Sequence, residues 1–323
     1  MSDREEKTGK NDNGKKNKGG KRNKIVAIEM IILVLLIMAA VAIFIQRDKS
    51  VKEAAKIHNQ KAKKTEQTSQ AAQKENEIEE ETEGTEEETG DRDASVPDRS
   101  NFAVQPRVPV GTTEQSDEKI VYLTLDDGPS DNTQAVLDIL DKYNAKATFF
   151  VTGEMPEYKD MIKAAYDKGH TIGMHTYSHD YAKVYASVDA YFQDLDQIGQ
   201  MVQEEIGYVP CFIRFPGGSS NTVSKKYTAG IMSTLVQEVQ NRGYQYYDWN
   251  GSSGDGSVRT TEELVAQATS FDSNNIILLC HDSHGKQTTV EALPQIIEHY
   301  QSLGYTFKAL DRDSFVAHHG VNN

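Results

Sequence analysis

The chain has 323 residues and a formal net charge of −14 at pH 7, with 35 Lys and Arg against 49 Asp and Glu. Acidic residues predominate from residue 116 onward, which argues against a nucleic-acid partner because phosphate binding requires clustered Lys and Arg. Only two cysteines are present, which excludes a disulfide framework or a zinc knuckle. Cys211 and Cys280 each lie in an apolar stretch, so we expect buried, unpaired thiols rather than a bridge.

Residues 25–46 form an apolar stretch in which Glu29 is the only charged residue. At 1.5 Å per residue, residues 25–45 would make a helix of about 31 Å, which matches a membrane hydrocarbon core of about 30 Å. A cleaved signal peptide is the alternative, since residues 40–42 resemble a cleavage site, but the apolar run continues beyond them. We therefore expect an uncleaved transmembrane helix. The basic tail at residues 1–24 favours a cytoplasmic N-terminus, although basic residues after the span weaken that signal.

Residues 47–115 have the composition of a spacer. They are rich in Lys, Glu, Gln and Thr and poor in aromatic residues, so they cannot bury enough apolar surface to offset the entropy cost of ordering. We interpret the acidic run at residues 75–91 as a solvated, self-repelling segment rather than a binding site. A folded domain is then expected at residues 116–316, followed by a C-terminal tail at residues 317–323.

Strand and helix patterns alternate through this folded domain. Apolar runs predict seven strands, at residues 119–125, 146–151, 170–175, 211–215, 244–249, 274–282 and 305–310. Periodic patterns predict helices after Ser130, which can cap the first of them, and at residues 158–169, 187–206, 261–269 and 290–304. The alternation indicates an α/β domain with a parallel sheet, and about seven strands in roughly 200 residues favour a distorted (β/α)-barrel over an open sheet.

Polar residues stand at the ends of four predicted strands. Asp126 and Asp127 end the first, Arg214 ends the fourth and His281 ends the long apolar sixth strand. His175 ends the third strand and His179 follows it, which adds two imidazoles to the same group. In a βα barrel the carboxyl ends of the strands form one rim, and catalytic groups lie there.

Two of these features indicate a metal site. His175 and His179 are four residues apart, which places both rings on one face of a helical turn. Two imidazoles and one carboxylate suit zinc or a similar divalent cation. Successive side chains at a strand end point in different directions, so one of Asp126 and Asp127 can bind the cation while the other acts as a general base. Turn-stabilising aspartates before Gly-Pro are the structural alternative.

Three further residues carry charge into apolar surroundings. Arg214 needs an anionic partner there, and a strand-end Asp is the obvious candidate. Asp248 is a second carboxylate expected to be buried. His281 is either a core residue or a general acid–base group, whose pKa an adjacent carboxylate would raise.

Five segments together resemble the polysaccharide deacetylases that contain a NodB-homology domain, also called carbohydrate esterase family four. They are TLDDGPS at residues 124–130, HTYSH at residues 175–179, RFPGG at residues 214–218, DWNGSSGD at residues 248–255 and LLCH at residues 278–281. They occur in the family's order across about residues 118–315. The first 115 residues lie outside the resemblance.

The resemblance implies a role for each matching residue. Asp127, His175 and His179 would hold one divalent metal ion, with zinc the first choice and cobalt, nickel or manganese the alternatives. The resemblance further implies that Asp126 is the catalytic base and that Arg214 is its ion-pair partner. His281 would be the general acid, and Asp248 would tune its pKa. Trp249 would form a wall of the sugar site, and the Gly217 N–H would donate a hydrogen bond to the oxyanion. Two residues depart from the family pattern: Gly217 replaces the usual aromatic residue, and Leu125 replaces a usual Phe. Neither departure removes a catalytic group, because the role implied for Gly217 belongs to its backbone N–H and Leu125 is a conservative change in the core.

The implied function is metal-dependent hydrolysis of N-acetyl groups on a polysaccharide. A membrane-anchored domain outside the cell would face the wall, which makes peptidoglycan N-acetylglucosamine the leading substrate and chitooligosaccharides or xylan the alternatives. Two other readings compete with this one. A two-His-one-carboxylate site is also typical of non-haem iron oxygenases, but the crossover helices argue against their fold. A non-catalytic wall-binding module on the same fold would predict the loss of a metal ligand or of the base, and none is lost.

Overall fold

The computed structural model describes residues 99–322. The predicted basic tail and transmembrane helix, and the spacer as far as residue 98, lie outside these residues and stay predictions. Within residues 99–322, no helix has the length and apolar character needed to cross a membrane.

All strands of the domain belong to one parallel sheet. The strands are β1 Ile120–Asp126, β2 Ala147–Val151, β3 Thr171–Met174, β4 Phe212–Ile213, β5 Gln245–Tyr246, β6 Gly251–Ser252, β7 Asn275–His281 and β8 Thr306–Phe307. The helices are α1 Thr133–Lys142, α2 Asp160–Asp167, α3 Tyr181–Val184, α4 Val188–Ile206, α5 Ile231–Asn241, α6 Thr261–Ala268 and α7 Gln287–Ser302. Short 3₁₀ turns occur at Ser100–Phe102, Pro156–Tyr158 and Ser224–Lys226.

The sheet fits the distorted (β/α)-barrel that the sequence predicts. Seven strands pair in the order β5-β4-β3-β2-β1-β7-β6, and β8 pairs beside the start of β1. The two ends of this order, β5 and β6, are joined by only four residues, 247–250. Five residue steps span at most about 18 Å, so the sheet must curl until its two ends come near each other.

Side chains alternate along β1 between two apolar layers. Val121, Leu123 and Leu125 pack under the helices in the larger core cluster. Ile120 and Tyr122 point the other way, into a smaller cluster inside the curl of the sheet. This alternation directs the next two inward positions, Thr124 and Asp126, to the interior of the barrel, as the period of a strand requires.

One predicted domain boundary and one predicted helix cap were wrong. Residues 99–115 were assigned to the spacer, but Phe102 and Val110 are buried in the inner cluster and Thr112 bridges to Phe315. Residues 99–115 therefore belong to the folded domain, because a few apolar residues in a polar segment suffice to dock it. Ser130 does not cap α1. The N-cap is Asn132, and the Ser130 hydroxyl instead donates to the carbonyl of Asp282.

Three elements, α3, α5 and β6, have no counterpart among the predicted ones. Helix α5 does have buried residues at helical spacing, namely Ile231, Met232, Leu235 and Val239. Strand β6 has only two residues, one of them glycine, so its sequence is too short to show the alternation of apolar and polar residues that predicts a strand. Both cysteines are buried and unpaired, as expected.

Candidate active site

The carboxyl ends of the strands bring the predicted site residues to one rim. The parallel register places Asp126 of β1 directly beside His281 of β7. His175 immediately follows β3, and Arg214 immediately follows β4, whose Ile213 is the register partner of Met174. Residues that are far apart in the sequence therefore meet because their strands end at the same level.

Arg214 is fully buried and binds Asp126, as predicted from the sequence. One guanidinium nitrogen lies 2.7 Å from Asp126 Oδ1 and 2.8 Å from Thr124 Oγ1. The other nitrogens donate to the backbone carbonyls of Tyr247 and Asp248. A buried charge is tolerated only when it is paired and hydrogen-bonded in this way. The arrangement holds the Asp126 carboxylate in one orientation, with its second oxygen 3.7 Å from His175 Nε2.

Asp127, His175 and His179 form a three-residue group in which one ligand atom from each lies within 4.8 Å of the others. Asp127 Oδ1 is 3.5 Å from His175 Nε2 and 3.4 Å from His179 Nε2. Asp127 has a φ of +66°, so the chain turns sharply at this residue and its carboxylate leaves the direction of β1. Asp126 is thereby held by Arg214, and Asp127 lies between His175 and His179, although both carboxylates approach His175 Nε2.

The group fits a divalent cation. Asp127 Oδ1 is buried and has no hydrogen-bond partner among residues 99–322, which leaves a lone pair without a donor. His175 Nδ1 lies 2.7 Å from the Arg214 carbonyl oxygen and must donate to it, because a carbonyl only accepts. Its Nε2 is then a free acceptor. Burial also lowers the pKa of His175 and keeps the ring neutral, as a metal ligand requires.

The loop that carries the two histidines is held by Asp194 of α4, a residue for which the sequence predicts no role. The Asp194 carboxylate accepts hydrogen bonds of 2.5–3.0 Å from the Tyr177 N–H, the Ser178 N–H and the Ser178 hydroxyl. The loop contains two residues with positive φ, Thr176 at +69° and His179 at +47°. Such backbone costs on the order of 1–3 kcal/mol per residue and persists only when its surroundings impose it.

We predict that Asp194→Asn weakens zinc binding by about 10- to 100-fold, the usual effect of losing a group that orients metal ligands. Titration calorimetry of the metal-free protein with Zn²⁺ measures this directly. The matched control is Asp196→Asn, an exposed acid two residues along the same helix. Equal zinc affinities for the two variants would show that Asp194 does not position the ligands.

His281 is paired with Asp255 and not with Asp248, so the predicted tuning partner was wrong. Asp255 Oδ1 lies 2.8 Å from His281 Nδ1, and its other oxygen accepts the His281 N–H. The reason lies in the sheet. Asp255 follows β6, which is the neighbour of β7, whereas Asp248 lies in the connection between β5 and β6. Asp255 is the last residue of the segment at residues 248–255 that resembles the family. Strand β6 has only two residues, so no strand pattern in the sequence predicts that Asp255 stands at a strand end.

The Asp255 contact changes the protonation of His281. Burial by itself would lower the pKa of His281. The hydrogen bond and the charge of Asp255, with help from Asp126 and Asp127, raise it instead to about 9. The ring is therefore a cation at neutral pH, with Nε2 facing Asp127 Oδ2 at 3.9 Å.

Asp248 has a different partner set. Its carboxylate accepts hydrogen bonds from the N–H and hydroxyl of Ser219 and from the N–H of His319, at 2.8, 2.5 and 2.8 Å. It thus ties the loop after Arg214 to residues of the predicted C-terminal tail. Another buried acid, Asp282, immediately follows β7. Burial raises the pKa of Asp282 to about 7, with the Thr133 hydrogen bond opposing the shift.

We predict that Asp255→Asn lowers the pKa of His281 from about 9 toward its ordinary value of 6.5. The proton is bound less tightly because the variant loses the negative charge that stabilises the imidazolium. NMR titration of the His281 ring in metal-free protein reports the value. Asp248→Asn is the control, and we expect it to leave the pKa of His281 near 9. A large decrease with Asp248→Asn, and none with Asp255→Asn, would restore Asp248 as the partner.

Gly217 and Trp249 lie on the loops around this rim. Gly217 and Gly218 both have positive φ, near +75°, in the loop that follows Arg214. A β-carbon at Gly218 would lie 3.0 Å from the Trp249 ring, so the two loops are in close contact. The roles of Gly217 as an oxyanion donor and of Trp249 as a sugar-binding wall stay predictions.

The chain is similar to known proteins across this domain. A sequence profile described as polysaccharide deacetylase matches residues 113–236. The putative polysaccharide deacetylase YheN of Bacillus subtilis is 30% identical over 217 residues, which cover 64% of this chain and 72% of YheN. A peptidoglycan-N-acetylglucosamine deacetylase of Bacillus cereus is 29% identical over 226 residues, which cover 65% of this chain and 78% of that protein.

A solved structure agrees with these relatives. The crystal structure of the catalytic domain of peptidoglycan N-acetylglucosamine deacetylase from Eubacterium rectale is 47% identical, with a TM-score of 0.63, and the match covers 65% of this chain and 97% of that one. The polysaccharide deacetylase Bc1974 of Bacillus cereus matches with 30% identity, a TM-score of 0.53, and 64% and 97% coverage. The chain belongs to the polysaccharide deacetylase family.

Proposed function

We propose that this protein removes N-acetyl groups from the N-acetylglucosamine of peptidoglycan and releases acetate. One observation carries the proposal: a carboxylate held by a buried arginine and an imidazole paired with a buried aspartate lie beside the same three-ligand cation site. Amide hydrolysis needs a base for the water and an acid for the departing amine, which leaves poorly unless it is protonated. Relatives and a solved neighbour named as peptidoglycan N-acetylglucosamine deacetylases support the substrate.

Asp127, His175 and His179 would hold the cation. A divalent ion bound there supplies a Lewis acid for the acetyl carbonyl and lowers the pKa of a bound water. Two neutral imidazoles and one carboxylate suit zinc best, with cobalt, nickel and manganese as alternatives.

Asp126 accepts the proton of the attacking water. Its Oδ1 is occupied by Arg214, so Oδ2, which faces His175, is the oxygen available for this transfer. At the end of the neighbouring strand β7, His281 Nε2 carries a proton that it can give to the sugar nitrogen, while Asp255 keeps the ring oriented through Nδ1. The N–H of Gly217 is the proposed donor to the oxyanion.

The location of the enzyme is part of the proposal. An apolar stretch at residues 25–46 after a basic tail would anchor the chain in the cell membrane with the N-terminus in the cytoplasm. The catalytic domain would then lie outside the cell, facing the wall. The polar segment that follows the span would let the domain reach its substrate.

The test is acetate release by the full-length protein. We expect release from peptidoglycan that stops after treatment with a chelator and returns with Zn²⁺ or Co²⁺. Chitooligosaccharides and acetylated xylan are assayed in parallel, because relatives include a chitin deacetylase and a bifunctional xylanase/deacetylase. Faster release from chitin or xylan would replace the substrate, and no release from any of these glycans would favour a wall-binding role.

A further inference from the structure

Tyr181 lies beside the site and has no role in the chemistry described above. It is the first residue of α3, two residues after His179. Its ring packs edge-on against the His179 ring, with centroids 5.7 Å apart and an interplanar angle of 84°. On its other side it contacts Tyr185, whose hydroxyl donates to the carbonyl of Pro216 at 2.8 Å. Helix α3 therefore joins the cation ligands to the loop that contains Gly217.

The Tyr181 hydroxyl occupies the space next to the bare α-carbon of Gly217. A β-carbon built at Gly217 would lie 2.6 Å from Tyr181 Oη and 3.5 Å from its ring. Real β-carbons do not approach another atom so closely, so a side chain at position 217 would force the phenol of Tyr181 to move. The space beside the α-carbon of Gly217 is therefore filled by the hydroxyl of Tyr181, which belongs to helix α3.

The same hydroxyl has an unused hydrogen-bonding capacity. Among residues 99–322, Tyr181 Oη makes no hydrogen bond, although the side chain is only partly exposed. By contrast, the hydroxyl of the neighbouring Tyr185 is satisfied. A phenol of this kind binds either water or a ligand, and aromatic side chains with one polar atom are common in ligand sites.

We propose that Tyr181 is a substrate-binding residue whose hydroxyl donates a hydrogen bond to the acyl oxygen of the substrate. This inference rests on the proposed function, because it places the acyl group between the cation ligands and the Gly217 N–H. Tyr181 contacts both features: its ring packs against the His179 ring, and its hydroxyl lies next to the α-carbon of Gly217. Negative charge develops on the acyl oxygen during the reaction, so the hydrogen bond strengthens in the transition state.

Tyr181→Phe tests the proposal because it removes only the hydroxyl. We expect kcat on an N-acetylglucosamine oligomer to fall by about 10- to 100-fold, with KM changed by less than about threefold, as for the loss of one donor to an oxyanion. Zinc affinity, measured by calorimetry, should stay unchanged. Tyr143→Phe is the control, since Tyr143 follows the C-terminal end of α1 and its hydroxyl donates to Glu298.

A second variant tests the shared space. Gly217→Ala should reduce kcat in the native background, because its methyl group meets the Tyr181 hydroxyl. The fold-loss caused by Gly217→Ala should be smaller when Tyr181 is already Phe, since the backbone strain is the same in both backgrounds and only the collision is relieved.

The outcomes separate this inference from the proposed function. Native kinetics in Tyr181→Phe, or a parallel loss of zinc affinity, would overturn the substrate-binding role. If the native protein released no acetate at all, the proposed function would fail instead. Binding of acetate to the zinc-loaded protein then still tests Tyr181, since the variant should bind acetate about three- to tenfold more weakly, and equal binding would reject the hydrogen bond.

Discussion

Replacing Asp126 by Asn is expected to lower kcat for acetate release by about 10²- to 10⁴-fold, the range for the loss of a general base. Asn has nearly the shape of Asp and can still accept a hydrogen bond from Arg214, so the fold should be retained. An amide cannot take a proton from water at neutral pH. The measurement is a steady-state assay of acetate release by full-length protein with its cation bound.

Two further measurements make the Asp126 result specific. Zinc affinity should remain close to native, because Asp127, and not Asp126, is the carboxylate in the three-ligand group. Asp138→Asn, at an exposed position on α1, should leave kcat unchanged. A near-native kcat in Asp126→Asn would remove Asp126 as the base, whereas a parallel loss of zinc would make it a ligand.

Arg214→Met is expected to lower the free energy of unfolding by about 3–5 kcal/mol, the cost of breaking a buried ion pair by removing one partner. Methionine fills most of the volume but makes none of the hydrogen bonds. Asp126 would then stand in the barrel interior, 2% exposed, without its ion-pair partner. Two backbone carbonyls, those of Tyr247 and Asp248, would also lose their donors. Denaturant unfolding followed by circular dichroism measures the loss.

A double-mutant cycle shows how much of this loss comes from the unpaired charge. Adding Asp126→Asn to Arg214→Met should recover part of the free energy, because a neutral amide is cheaper to bury than an isolated carboxylate. Arg259→Met, at an exposed loop position, should change the free energy of unfolding by less than about 0.5 kcal/mol. A loss below about 1 kcal/mol in Arg214→Met would mean that the ion pair contributes little to stability.

Elements with a strong local pattern could be predicted from the sequence. Strands β1 and β7 are long apolar runs that are buried along almost their whole length, and their predicted bounds agree with the structure to within one residue. Helix α4 begins after Ser187, whose hydroxyl accepts the Ala190 N–H, and ends at Gly207 with a φ of +88°. A capping residue, a C-terminal glycine and an amphipathic pattern are all local features of the sequence, so the bounds of this helix can be predicted without knowledge of its tertiary contacts.

Elements without such a pattern depended on tertiary contacts. Residues 99–115 look like spacer because their composition is polar, but Phe102 and Val110 have a core cluster to enter. Strand β6 consists of Gly251 and Ser252 and exists because β7 offers it a partner. No local signal distinguishes such residues from loop.

The sequence by itself determined which residue types stand at the strand ends, and therefore that Asp126, Asp127, His175, Arg214 and His281 share one rim. Parallel strands with crossover helices leave no other place for them. Only the tertiary structure decided which of these groups touch. It pairs His281 with Asp255 rather than Asp248 because β6, and not β5, is the neighbour of β7. It also places Tyr181 against Gly217, two residues that are 36 positions apart, through the packing of α3 on the loop after β4. Hydrogen-bond partners are set by distances of about 3 Å, and those distances follow from how the sheet curls, which composition and periodicity do not encode.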